Sequence, residues 1–168
     1  MIRVYIGLGS NLNDPQAQLK QAIISIKKIP LSKVIKCSSF YLSKPFGNIE
    51  QPDYINAVLE FATELSPHDL LDFLQGIEAK QQRVRQQRWG PRTLDLDILM
   101  YDDNIIKDSR LSVPHVEMHR RGFVLLPLYE IAPDGEVAGL GGIHDLLQKV
   151  DVRDVRKIEQ HVSRNSPS

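Results

Sequence analysis

The spacing of apolar residues changes along this chain, and each change marks an element. From Ile2 to Leu8, in IRVYIGLG, β-branched residues dominate and glycines end the run, which predicts a strand. Asn13-Asp14-Pro15 then supplies capping side chains and a proline suited to a first helical turn. Between Gln16 and Ile29, Leu19, Ile23 and Ile26 recur at three- and four-residue spacing before Pro30, so a helix is predicted there. Two strand-like runs follow, Val34 to Ser43 and Tyr54 to Thr63, joined by a long exposed connection punctuated by Pro45-Phe46-Gly47 and Gln51-Pro52-Asp53. A second helix is expected after Ser66-Pro67, with Leu70, Leu71, Leu74 and Ile77 on one face, dissolving into the polar tract Gln81 to Arg88. Leu94 to Tyr101 reads as a further strand.

The order strand, helix, strand, strand, helix, strand favours an α+β, ferredoxin-like sandwich: an antiparallel sheet with helices on one face. Beyond residue 102 the pattern weakens. His119 to Ile131 reads as a helix broken by Pro127, and Ile143 to Val150 as another, giving extra C-terminal elements. Residues 1–162 are expected to form one domain, with 163–168 a frayed polar tail.

Composition narrows the function. With 42% apolar residues in 168, the chain can bury one substantial core. Its 21 basic and 21 acidic side chains cancel, so no global field draws it to nucleic acid or an anionic membrane. No stretch approaches the roughly 18 uninterrupted apolar residues of a membrane helix, and the only cysteine, Cys37, has no partner within the chain. A cytoplasmic monomer acting on small molecules is the expectation.

In Thr93-Leu94-Asp95-Leu96-Asp97-Ile98, leucine and aspartate alternate with period two, which puts both carboxylates on one strand face. Residues two apart on a strand are separated by roughly 6.5 to 7 Å, close enough to hold metal ions about 3.5 to 4 Å apart, and hard oxygen ligands favour magnesium. A lone D-x-D is more often a solvated strand face. Here Arg83, Arg85, Arg88 and Arg92 lie just upstream. They could form a salt-bridge patch with the aspartates, but guanidinium forks also match phosphate oxygens, so the combination resembles phosphoryl-transfer machinery. Trp89 could pack onto the core or cover bound ligand. With few apolar anchors and many like charges, the tract from Arg83 to Arg92 is expected to be mobile without an anion and to close once bound phosphates supply the missing negative charge.

Arg88-Trp89-Gly90-Pro91-Arg92-Thr93-Leu94-Asp95-Leu96-Asp97-Ile98-Leu99 resembles the signature of the 6-hydroxymethyl-7,8-dihydropterin pyrophosphokinases of the folate pathway. Companions match in order: Gly9-Ser10-Asn11-Leu12, Ser38-Ser39-Phe40-Tyr41, Gln51-Pro52-Asp53-Tyr54-Ile55-Asn56, Val113-Pro114-His115 and Arg121-Gly122-Phe123, covering residues 1 to about 133. The resemblance implies a ferredoxin-like fold and transfer of diphosphate from ATP, as co-substrate, to the pterin alcohol, releasing AMP. It further implies that Asp95 and Asp97 bridge two Mg2+ ions while Arg83 and Arg92 clamp the polyphosphate. Arg85, Trp89, His115 and Arg121 would contact ATP, with Gln75, Glu78, Ile98, Arg110, Leu111 and Ser112 lining its pocket. Tyr54 and Phe123 would sandwich the pterin ring, and Asn56 with the backbone of Ser43, Lys44 and Phe46 would read its polar edge.

Three positions depart from the family pattern. Ser43 stands where threonine is common, Gln82 where glycine often precedes the first loop arginine, and Val116 where proline or an aromatic often follows the histidine. On the residues alone, two rivals remain. An RNA-binding module of similar topology would not need the paired aspartates. A metal-dependent phosphohydrolase would put water where the pterin sits.

Overall fold

In the computed structural model the chain is described over residues 1–44, 52–85 and 94–158, with backbone alone at 83–85. The elements run β1 (Ile2–Ser10), α1 (Pro15–Ile26), β2 (Ser32–Cys37), β3 (Tyr41–Ser43), β4 (Tyr54–Thr63), α2 (Pro67–Arg85) and β5 (Asp95–Tyr101). After them come β6 (Ile106–Lys107), β7 (Ser112–Val113), a 3-10 turn (Met118–Arg120), α3 (Gly122–Ile131), β8 (Glu136–Val137), β9 (Gly141–Gly142), α4 (Ile143–Gln148) and β10 (Val155–Lys157). Six strands form one antiparallel sheet in the order β10-β3-β4-β1-β5, with β2 also pairing with β4; β6-β7 and β8-β9 are small hairpins.

Strand alternation builds a core on each face of the sheet. Val4, Ile6 and Leu8 of β1 pack with Leu19, Ala22 and Ile26 of α1 and Leu70 and Leu74 of α2. Tyr5 turns the other way and joins Leu99, Met100, Leu125, Leu128, Ile131 and Ile143 in a second cluster. Helices therefore cover both faces, not one as the sequence suggested, because α3 and α4 carry enough apolar side chains to close the second.

Local chemistry explains the ends of the first two helices. The Asp14 carboxylate accepts from the Ala17 N–H and Pro15 opens α1, while Ser66 Oγ accepts from the Asp69 N–H at the start of α2. Helix α1 stops at Ile26, short of the predicted Ile29. The predicted strand Val34–Ser43 is broken between β2 and β3. There Ser38 replaces part of the ladder with its side chain, Oγ accepting from the Val58 N–H at 2.9 Å. Helix α2 does not dissolve at Gln81; it continues to Arg85, and Gln81 Nε2 ties it to Gln18 of α1.

Pro127 likewise fails to break its helix. A 3-10 turn precedes α3, and α3 runs through Pro127, where burial of Leu125, Leu128 and Ile131 offsets the lost hydrogen bond. No helix among the described residues is long and apolar enough to cross a membrane.

Candidate active site

The register of β5 against β1 creates the site. Asp95 lies opposite Gly9 and Asp97 opposite Gly7, while Leu96 and Ile98 turn into the first core. The register slips between Tyr5 and Ile6, leaving Leu99 as an extra residue, a β-bulge beside the carboxylates. The Leu99 carbonyl accepts the N–H of His115 at 2.9 Å, and this docks the segment after β7 against the same strand.

Gly7 and Gly9 leave the sheet surface bare beneath the carboxylates. A Cβ on Gly9 would come within 3.0 Å of Asn56 Oδ1, and one on Gly7 within 3.2 Å of Leu99 Cδ2. Over this floor lies a cleft of about 380 Å³ into which Asp95 and Asp97 open. Ser43, Lys44, Tyr54 and Asn56 line it from β3, β4 and the residue after β3, and His115, Arg121 and Phe123 from the opposite side. Asn56 is buried, and its Nδ2 donates to the buried Ser43 Oγ at 2.8 Å, which fixes the amide in orientation. The Arg121 guanidinium stands 5.7 Å from the Phe123 ring centroid, within cation–π range.

A second cleft of about 240 Å³ adjoins the first. Gln75 and Glu78 enter from α2, Asp97 and Ile98 from β5, and Arg110, Leu111, Ser112, His115 and Val116 from the segment around β7. Asp97 and His115 line both clefts. Glu78 is buried at the edge strand, where its Oε2 accepts the Leu96 N–H at 2.8 Å and so holds the stretch between the two aspartates.

Arg110 Nη2 reaches Asp72 Oδ1 at 2.6 Å and Gln75 Oε1 at 3.2 Å. The turn that presents it is held by Asp108, whose Oδ1 accepts the N–H groups of Arg110 and Leu111 and whose Oδ2 lies 2.7 Å from His68 Nε2. Asp108's carboxyl is held below the usual range, chiefly by the Arg110 N–H.

All six residues expected to line the nucleotide pocket meet in the second cleft, together with His115. Arg121, expected to contact ATP, lines the first. Arg83 and Arg85 occupy the last turn of α2. Phe46, Arg88, Trp89 and Arg92 lie outside the described residues, and with them most of the tract expected to act as a lid. Among the described residues no group of three or more His, Cys, Asp or Glu could hold a metal ion. Two carboxylates facing a cleft still fit Mg2+, which is commonly bound by one or two carboxylates plus substrate phosphates and water. The sequence reading missed Gly7 and Gly9 as a floor, since glycines closing a strand read as turn signals. It also missed Asp72 and Asp108, which carry no pattern of their own.

The family model described as 7,8-dihydro-6-hydroxymethylpterin-pyrophosphokinase (HPPK) matches residues 5–133. A Haemophilus influenzae 2-amino-4-hydroxy-6-hydroxymethyldihydropteridine pyrophosphokinase is 56% identical over 134 residues, covering 80% of this chain and 84% of that protein. A Methylorubrum extorquens protein of the same name is 40% identical over 159 residues, covering 95% of this chain and 100% of its own length. Among solved structures, Plasmodium falciparum HPPK-DHPS with pterin and p-hydroxybenzoate superposes with a TM-score of 0.69 at 16% identity. That match covers 88% of this chain and 43% of the Plasmodium chain, so the chain spans less than half of that protein, and the likeness is one of fold.

Proposed function

Because the chain belongs to the 7,8-dihydro-6-hydroxymethylpterin-pyrophosphokinase family, we propose that its two clefts hold the two substrates of a single diphosphate transfer. It is an ATP-dependent pyrophosphokinase of folate biosynthesis, with ATP as co-substrate. The observation that carries the assignment is the position of Asp97, which opens into both clefts. A carboxylate there can serve a phosphate chain reaching from one cleft towards an alcohol in the other.

In this reading the flat pterin lies in the first cleft between Tyr54 and Phe123, with Asn56 and the backbone of Ser43, Lys44 and Phe46 on its polar edge. ATP takes the second, among Gln75, Glu78, Ile98, Arg110, Leu111, Ser112 and His115. Arg85 and Trp89 add contacts to ATP, and Arg121 reaches its phosphates from the first cleft. Asp95 and Asp97 would hold two Mg2+ ions together with phosphate oxygens; when bound, these would neutralise charge along the triphosphate.

The hydroxymethyl oxygen attacks the β-phosphorus, the bond from that phosphorus to the oxygen bridging the α-phosphate breaks, AMP leaves, and the hydroxyl proton passes to solvent. The chain's part is positional and electrostatic. Tyr54, Phe123 and Asn56 aim the alcohol, while Arg83 and Arg92 clamp the polyphosphate and take up charge on the leaving AMP.

We read the sheet order as a ferredoxin-like core extended by C-terminal elements, and residues 1–162 as one domain. We take the enzyme to work as a cytoplasmic monomer on small molecules, without nucleic acid or membrane. The test is to incubate the protein with ATP, Mg2+ and 6-hydroxymethyl-7,8-dihydropterin and identify the nucleotide product. AMP is expected; ADP would overturn diphosphate transfer.

A further inference from the structure

The two walls of the first cleft come from distant parts of the chain. One is β3 and the residue after it, with Ser43 and Lys44; the other is the start of α3, with Arg121 and Phe123. One segment near the end of the described residues, 151–158, touches both. It lies beyond residues 5–133, the span of the family match.

On the β3 side, β10 adds a strand, with Val155 opposite Ser43 and Lys157 opposite Tyr41, and the Ile158 N–H donates to the Phe40 carbonyl at 2.8 Å. Asp154 Oδ1 adds a long, exposed ion pair to Lys44 Nζ at 3.9 Å, which contributes little by itself. On the α3 side the approach is closer. Gly122 is buried, and a Cβ there would come within 3.0 Å of both the Asp151 carbonyl oxygen and Val152 Cγ1. Only glycine lets the segment press against the first residue of α3, between the two wall residues Arg121 and Phe123. The turn between these attachments is closed by the Val155 N–H to the Val152 carbonyl, and Asp151 Oδ1 accepts the Arg153 N–H.

Taking the assignment of this cleft to the pterin as its premise, we propose that residues 151–158 are a positioning strap, which sets the width of the ring slot by tying Gly122 to β3. The strap touches no reacting atom. Its effect passes mainly through Phe123 and Ser43, so it alters recognition of the pterin more than that of the nucleotide, which it reaches through Arg121 alone; the nucleotide cleft itself is lined from α2, β5 and the segment around β7.

The test is calorimetric titration of the full-length chain with 6-hydroxymethyl-7,8-dihydropterin and, separately, with MgATP. Gly122→Ala, Val152→Ala and the double variant are compared, with thermal midpoints alongside. Gly122→Ala is expected to weaken pterin binding about tenfold, the upper end of what one displaced ring contact is worth, with MgATP binding weakened much less, through the neighbouring Arg121 alone. Val152→Ala alone loosens the same contact and weakens pterin binding less. In the double variant the smaller strap residue removes the Cγ1 contact but leaves the one with the Asp151 carbonyl, so part of the affinity returns and the two losses are less than additive, as expected of groups in contact.

Pterin affinity unchanged in both single variants, equal losses for both ligands, or additive losses in the double would each overturn the strap. Phe123→Ala serves as the reference. If it loses pterin affinity while the strap variants do not couple, the strap alone fails; if it binds pterin normally, the cleft assignment fails and the strap with it.

Discussion

Gly9 and Asn56 face each other across β1 and β4, and the Asn56 amide is already committed to Ser43 through its Nδ2. A methyl at residue 9 would stand 3.0 Å from Asn56 Oδ1, a contact tight enough that the amide must give way. Gly9→Ala should therefore displace the amide and weaken pterin binding. Gly7→Ala meets only the flexible end of Leu99 and should be tolerated better. Calorimetry on the two variants checks the contrast, and equal effects would show that neighbouring chemistry at the floor does not matter.

The carboxylates give a second prediction at this scale. Asp95→Ala and Asp97→Ala should each lower turnover at least about 100-fold, the scale of losing one charge-stabilising group, while leaving the thermal midpoint unchanged or raised. Two carboxylates on one strand face repel each other without metal. Near-normal turnover in either variant would remove the metal role from that residue. The aspartates were legible in the sequence because period two reports a face directly. The glycines were not, because their role lies in what the partner strands put above them.

Among the elements, α3 is fastened at its far end by a side chain. Glu130, near its C-terminal end, accepts from the Ser39 N–H, Ser39 Oγ and the Tyr41 phenol, and Lys157 of β10 lies 3.9 Å away. Burial raises the Glu130 pKa, but the hydrogen bonds from Tyr41 and Ser39 and the Lys157 charge outweigh it, so the carboxyl titrates below its usual range. A depressed folded-state pKa stabilises the protein above the unfolded value, about 4.3 for Glu, and that contribution is lost as pH falls through the folded value. Glu130→Gln should thus lower the thermal midpoint at neutral pH, and its gap from the parent should close as pH falls below about 4. Melting curves at several pH values decide this; a gap that stays constant would mean the carboxylate charge contributes nothing.

The elements that the sequence disclosed were those with long periodic patterns and chemical ends. β1, α1, β4, α2 and β5 all have them, from the Asp14 cap to the Ser66 cap. The two- and three-residue strands β6 to β10 have no pattern long enough to read, since each exists only by pairing with its partner. The break between β2 and β3 and the passage of α3 through Pro127 are both decided by tertiary contacts, which local propensity cannot report.

For the whole molecule, the consequence of the fold is that two clefts, sharing β5 and otherwise built from different elements, meet at two residues. Tyr54 and Phe123 belong to the first alone, Gln75 and Arg110 to the second alone, and Asp97 and His115 to both. No local pattern foretells this convergence. Beyond the paired aspartates and the arginine tract, the sequence reading assigned ligand groups through the family resemblance, and it had no means to see that Arg121 would stand beside Phe123.

Binding should therefore divide the variants into three sets. Tyr54→Ala and Phe123→Ala should each weaken pterin binding up to about tenfold, as expected for one ring contact, and leave MgATP binding unchanged. Arg110→Ala should do the reverse, freeing Asp72 and Gln75 and weakening the nucleotide alone. His115→Ala should weaken both, because the residue lines both clefts while its backbone N–H, bonded to the bulged Leu99 carbonyl, is kept. Thermal midpoints guard against a packing defect, and calorimetry on each ligand supplies the affinities. If His115→Ala affects one ligand only, the clefts do not meet at that residue. If Tyr54→Ala and Arg110→Ala each weaken both ligands equally, the two clefts act as one space, and separate seats for the two substrates are wrong.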